Sequence, residues 1–191
     1  MKKVFLEKRS LNKIFIVLAS FALAVLIYLL FRSRKLFYYQ IVELMNLDSH
    51  VRSIRKVVWV YRKHIPNWVI YSLPDGLWLF SMGVSILHNR VFYKKAQNIF
   101  NIIFFTMIGI EVFQGIYGGH GTFIGTFDGA DVICYTIGYI MASILGYLSW
   151  VKNSKEIKIQ NEDEVLKKER KKILIIVIVF TILGFFPALV T

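Results

Sequence analysis

The nineteen residues 99–117, IFNIIFFTMIGIEVFQGIY, carry a single charge, at Glu111. A bilayer core about 30 Å thick is crossed by about 20 apolar residues in helical form, because each backbone polar group there must be paired within the segment. The stretch reads as a membrane-spanning helix with one acid inside it. Outward from it, Ile14 to Phe31, Val132 to Trp150 and Ile173 to Val190 are uncharged runs of similar length. A fifth run, from about Val69, is interrupted by Pro74-Asp75-Gly76. Proline lacks an amide proton and fits a first helical turn, so regular helix is expected from near Pro74 to about Phe92, with Trp68 to Leu73 leading in at the interface.

Composition agrees with this reading: of 191 residues 56% are hydrophobic and only 19% charged, and mean hydropathy is +0.54. The expected fold is all-α, a polytopic membrane helix bundle forming one domain over 1–191. It has about five spans, near 14–31, 69–92, 99–117, 132–150 and 173–190, and a polar cytoplasmic segment at 151–172. So apolar and aromatic a chain is neither disordered nor collagenous. A single cysteine, Cys134, excludes an internal disulfide framework and a multi-cysteine zinc site. The apolar first run lacks a small-residue cleavage site and reads as an uncleaved anchor rather than a signal peptide.

Net charge is +12, from 24 basic and 12 acidic residues. Anionic lipid accounts for it without nucleic acid as a partner. With the N-terminus inside, sixteen Lys and Arg fall on the cytoplasmic side and eight outside, all eight between Arg32 and Lys63. The excess favours N-inside, C-outside, although the first loop dissents. In that loop Val51, Ile54, Val58, Tyr61 and Ile65 recur at helical spacing among Arg52, Arg55, Lys56, Arg62 and Lys63. This is the pattern of a basic amphipathic helix on a membrane surface. Glu164 and Lys168 form a favourable i,i+4 pair within 151–172, where a short cytoplasmic helix is expected.

Eight of the twelve acids lie in tails and loops, and the other four lie in or at the ends of spans: Asp75, Glu111, Asp128 and Asp131. Under the chosen topology all four belong to the outer half. Gln114 lies one turn from Glu111 on the same helix face. Thr126 is a suitable N-cap for the fourth span, and Asp128 and Asp131 suit the positive end of its dipole. Glu111 has no such account. Carboxylates at membrane depth are costly and are usually paired, protonated or functional. No Lys or Arg occurs between Lys95 and Lys152. The remaining partners for Glu111 are a proton, a bound cation, the Gln114 amide, or a base from the first loop folded over the site. His120, on a glycine-rich loop, is a further candidate ligand or a solvated loop histidine. Gly138, Ala142 and Gly146 form a small-residue stripe that argues close helix packing.

Glu111-Val-Phe-Gln114, the glycine-rich loop, Gly125-Thr-Phe-Asp128-Gly-Ala-Asp131 and Gly138 resemble the E-x-x-Q, D-x-x-D and following glycine of the VanZ-like family of small bacterial membrane proteins. Leu73-Pro-Asp75-Gly-Leu-Trp falls where that family has an aspartate opening a span. The resemblance covers about Leu73 to Gly146. Asp75, Glu111, Gln114, Asp128, Asp131 and Gly138 carry over. The family's lysine, histidine and asparagine are replaced by Gly76, Leu79 and Tyr135, and its outer-loop arginine is absent. The resemblance implies a multi-pass protein of the bacterial cytoplasmic membrane and cell envelope. The family takes its name from an accessory factor of glycopeptide (teicoplanin) antibiotic resistance.

Three functions compete on these residues. In the first, an acidic outer pocket binds a polar or cationic ligand, such as a lipid-linked envelope precursor or a glycopeptide-type ligand, with Asp75, Gln114, His120 and Thr126 as binding residues. In the second, Glu111, Asp128 and Asp131 are catalytic groups of a membrane hydrolase or transferase, holding a divalent cation such as Mg²⁺ or Ca²⁺ or serving as acid and base. No nucleophile motif, metal motif or phosphate-binding arginine cluster accompanies them. In the third, Glu111 relays ions, yet the inner half offers little polar beyond Asn101 and Thr106. A scaffold whose polar groups only fix helix packing stands apart from all three.

Overall fold

A helix of only fifteen residues, Leu73–Leu87, holds the molecule together: eleven of its residues are buried. The computed structural model describes residues 2–32, 37–88, 92–119, 126–153 and 162–185. Among these all regular structure is helical, in the order α1 (Lys2–Phe31), α2 (Phe37–Leu44), α3 (Asp48–Trp59), α4 (Asn67–Tyr71), α5 (Leu73–Leu87), α6 (Tyr93–Tyr117), α7 (Gly129–Asn153) and α8 (Glu162–Phe185), with a 3₁₀ turn at Arg62–His64. α1, α4, α6, α7 and α8 all pack on α5, and α7 does so most extensively.

Three helices are long and apolar enough to cross a membrane: Leu11–Phe31, Tyr93–Tyr117 and Gly129–Lys152. The other two expected spans differ. α5 has Pro74 in its first turn, as proline's missing amide requires. It ends at Leu87 rather than near Phe92, because His88 turns to an extended conformation (φ −70°, ψ 132°). Lys13 of α1 reaches this end and donates to the Ser85 and His88 carbonyls at 3.2 and 3.5 Å, satisfying groups that the helix leaves open. The expected last span is described only to Phe185. Its helix already begins at Glu162, so residues 162–172 continue into the apolar stretch as one helix rather than forming part of a separate polar loop.

The small residues set how closely the helices approach. A Cβ on Gly138 of α7 would lie 2.4 Å from the Gly76 carbonyl oxygen of α5, and one on Gly76 would lie 2.6 Å from the Cys134 oxygen. Farther along the same seam, Gly83 faces Ala142 and the fully buried Phe100 ring, and Gly146 faces Leu87. The stripe Gly138, Ala142, Gly146 therefore meets α5, in keeping with membrane helices, where packing and hydrogen bonds rather than water exclusion drive association. Trp78 Nε1 donates to the Phe180 carbonyl at 2.8 Å, fastening α8. Ser20 and Ser81 hydroxyls, 2.7 Å apart, fasten α1.

α3 covers part of the segment read as one amphipathic helix. It stops at Trp59, short of Ile65, and has no buried residue. Several bases of this region serve the protein itself. Arg55 and the Tyr39 hydroxyl donate to the Leu29 carbonyl at the end of α1, Arg52 pairs with Asp48 at 2.8 Å, and Arg62 donates to the Asn67 side chain at 2.8 Å.

Gly138→Leu is expected to lower the melting temperature in detergent, at an overpacking cost of about 1–3 kcal/mol or more, since the obstructing atom is backbone. Gly109→Ala, where a Cβ meets nothing within 4 Å, is expected to melt no lower than the parent. Equal losses at both positions would contradict this packing.

Candidate functional site

The C-terminal ends of α1, α6 and α8 and the N-terminal ends of α5 and α7 border one cavity of about 550 Å³. These five helices therefore run in alternating directions. Its lining includes Asp75, Glu111, Gln114, Thr126, Asp128 and Asp131, so residues separated by up to 56 positions in sequence come together. His120, the remaining sequence-nominated residue, lies outside the described residues. The volume falls within the usual range for small-molecule sites, about 300–1,000 Å³.

Each acid reaches the cavity by a different local device. Asp75 follows Pro74 in the first turn of α5, where a carboxylate suits the positive end of the helix. The Tyr28 hydroxyl of α1 donates to its Oδ1 at 3.2 Å. Asp128 sits just before α7 and accepts the Ala130 amide at 2.9 Å. Asp128 is thus the N-cap that was expected at Thr126, because α7 starts at Gly129. Asp131 follows in the first turn of α7, beside the Ser72 side chain. Ser72 Oγ and Asp131 Oδ1 are both buried, and neither has a well-formed hydrogen bond among the described residues.

Glu111 is the least solvent-exposed of the four, 5% exposed. One side of its carboxyl faces the Asp128 backbone amide, whereas Oε2 is buried with no hydrogen-bond partner among the described residues. Asp131, Asp128 and Asp75 are its charged neighbours. The Gln114 amide shares the cavity.

A base that follows the first span does border the cavity, beside Asp75 and Asp131 rather than as the partner of Glu111, and it is Arg32. Its guanidinium lies 4.7 Å from the centre of the Tyr28 ring and 4.8 Å from that of Tyr71, within cation–π range of both. Nη2 donates to the Tyr71 carbonyl at 3.0 Å, while Nε is buried without a partner among the described residues. Arg32 lies in electrostatic range of Asp75 and Asp131. The described lining thus sets four carboxyl groups against one guanidinium. Among the described residues no three His, Cys, Asp or Glu side chains lie close enough together to hold a metal ion.

Sequence reading did not single out Arg32, Tyr28, Tyr71, Trp78 or Tyr135 as lining residues. Arg32 reads locally as the basic flank of a span, and the aromatic residues resemble any others in an apolar helix. A second polar group, apart from Asn101, was also hidden. Toward the opposite end, Gln97 donates to Asn101 at 2.8 Å and to Ser143 at 3.1 Å, and the Tyr139 hydroxyl donates to Asn101 at 2.8 Å. These side chains satisfy one another between α6 and α7. Thr106 bonds the Ile102 carbonyl of its own helix.

No protein-family model, curated protein or solved structure matches the chain. Its class follows from its own geometry: an all-helical protein with membrane-length apolar helices and an acid-lined cavity where five helix ends meet.

Asp128→Ala is expected to cost about 1 kcal/mol of stability through the lost cap, and Thr126→Ala less than half of that. Thermal unfolding of both variants in detergent checks the assignment; the reverse order would restore the cap to Thr126.

Proposed function

We propose that the chain is a VanZ-like protein of the bacterial cytoplasmic membrane and cell envelope, whose acid-lined cavity opens to the outer face and binds an envelope precursor or a glycopeptide-type ligand. The observation that carries this reading is the convergence of Asp75, Glu111, Asp128 and Asp131, drawn from three helices, on one cavity with Arg32. They are the acids that resemble that family's motifs. Scattered acids, each satisfied by its own helix, would have favoured a scaffold.

In this proposal the bilayer is crossed five times, with the N-terminus inside and the C-terminus outside. The alternating directions of α1, α5, α6, α7 and α8 support it, and α4 with α5, Asn67 to Leu87, supplies the length that α5 alone lacks. The engagement of Arg32, Arg52, Arg55 and Arg62 within the protein gives four of the eight dissenting bases a structural use. α3 lies on the outer membrane surface against anionic lipid. Exposed Ile54 and Val57, on one face of α3, support that placement.

A ligand site and a scaffold respond differently to neutralising the acids. Glu111→Gln replaces a buried, incompletely paired carboxyl group with a neutral amide of the same shape, so it is expected to melt at the same temperature as the parent or higher. In a deletion strain at matched expression, Glu111→Gln and Asp131→Asn should each fail to restore the envelope or antibiotic-susceptibility phenotype. Full complementation by both, or loss only in step with lost thermal stability, would reject the reading.

A further inference from the structure

Beside the acids, Asp131 Oδ1 and Ser72 Oγ lack a hydrogen-bond partner among the described residues, and two further buried polar atoms, one on α6 and one just after α1, want opposite partners. Glu111 Oε2, as a carboxylate oxygen, is an acceptor with no donor, and Arg32 Nε is a donor with no acceptor, among the described residues. Both residues line the cavity. Buried polar atoms are rarely left unmatched, because an unmade hydrogen bond costs the full desolvation of the group. The two do not serve each other: the charged groups around Glu111 are Asp131, Asp128 and Asp75, while Arg32 is held at the Tyr28–Tyr71 clamp. A single ligand that answers both must bring a donor to one and an acceptor to the other.

The rest of the lining adds a third requirement. Phe21, Ala24 and Val25 of α1 and Met107 of α6 continue the lining along the helices away from the acids, and Ile110 adjoins Glu111. From Arg32 to Phe21 the lining runs eleven residues along α1, roughly 16 Å at the helical rise. α1 and α6 border this apolar length without packing extensively on each other. The cavity therefore has a charged head end and an apolar tail end, the division of an amphiphile.

We infer that the cavity takes an amphiphile whose headgroup carries both a primary ammonium and an anionic oxygen, the ammonium at Glu111, the anionic oxygen at Arg32, and the apolar chain along Val25, Met107 and Ile110. The inference rests on reading the cavity as a binding site and narrows the chemistry of what enters. With four carboxyl groups and one guanidinium in the described lining, a headgroup bearing only negative charge meets mostly like charge. The ammonium's N–H groups matter as well as its charge, since Oε2 lacks a hydrogen bond and not only a counter-ion.

The full chain, stripped of lipid in detergent and analysed by native mass spectrometry, is titrated with three single-chain lipids of equal acyl length. Lysophosphatidylethanolamine has an ammonium with N–H donors. Lysophosphatidylcholine has the same charges and no N–H. Lysophosphatidylglycerol has no cation. The first is expected to bind about tenfold more tightly than either of the others, the worth of one charge-assisted hydrogen bond. Glu111→Gln should abolish that preference, and Arg32→Gln should weaken the binding of all three. Soluble phosphoethanolamine should not displace the bound lipid at matched concentration.

Equal binding of the choline lipid, or tighter binding of the glycerol lipid, would overturn the ammonium assignment while leaving the cavity a binding site. Displacement by phosphoethanolamine as effective as by the lipid would overturn the apolar part. Failure of all three lipids to bind would overturn the inference; the complementation result then decides separately whether the acids have a function. The parent protein's preference among the three lipids decides even if a variant does not fold.

Discussion

Backbone meets backbone where α5 crosses α7, with Gly138 against the Gly76 carbonyl and Gly76 against the Cys134 carbonyl. The arrangement of the site depends on this contact. Asp75 is the neighbour of Gly76, and Asp131 lies one turn before Cys134, so bringing the two backbones together brings two acids from distant parts of the chain to one cavity. Any side chain at Gly76 or Gly138 would hold the helices apart and open the cavity along that wall. The seam continues through Gly83, Ala142 and Gly146, which fixes the tilt of α7 over the whole length of α5. α6 then comes in through its contacts with α7 and α5, carrying Glu111.

The same closeness creates an electrostatic cost that the protein meets only in part. Asp75 has the Tyr28 hydroxyl, and Asp128 has the Ala130 amide. Glu111 keeps one oxygen without a donor among the described residues. Arg32 sits near Asp75 and Asp131 rather than at Glu111, locked against two tyrosine rings. A protein selected only for stability has little reason to keep such a group, since an apolar residue of similar size is often neutral or stabilising at a buried ionic position. At the opposite end, Gln97, Asn101, Tyr139 and Ser143 bond one another. The polar groups of that end look inward to the fold, whereas the cavity keeps buried polar atoms with no partner among the described residues.

Much of the site could be read in the sequence because a charge inside an apolar run is a local signal. Asp75, Glu111, Asp128 and Asp131 were visible in that way, and the stripe from Gly138 to Gly146 was visible by its spacing. Arg32 was not, since a base after an apolar run is also the ordinary mark of a span's end, and only the folded chain shows which way it turns. The shift of the cap from Thr126 to Asp128 has the same origin: both residue types cap helices, and the choice depends on where α7 begins. The end of α5 was partly legible, because His88-Asn89-Arg90 breaks the apolar run, but the anchoring of that end by Lys13 is a contact across 72 positions that no local pattern encodes. Similarly, eight bases in the first loop carry one meaning as a charge count and another once four of them are seen holding helix ends and neighbouring side chains.

Reaction of an engineered cysteine with a membrane-impermeant thiol reagent in intact cells tests most directly whether an acid-lined cavity faces the outside. Cys134 is buried and 7% exposed, so it serves as an internal blank. Gln114→Cys, in the cavity, should label readily from outside, and Gln97→Cys, toward the other end of α6, should label only after the membrane is opened. Labelling of Gln97→Cys from outside with protection of Gln114→Cys, or equal inaccessibility of both, would contradict the cavity and its orientation.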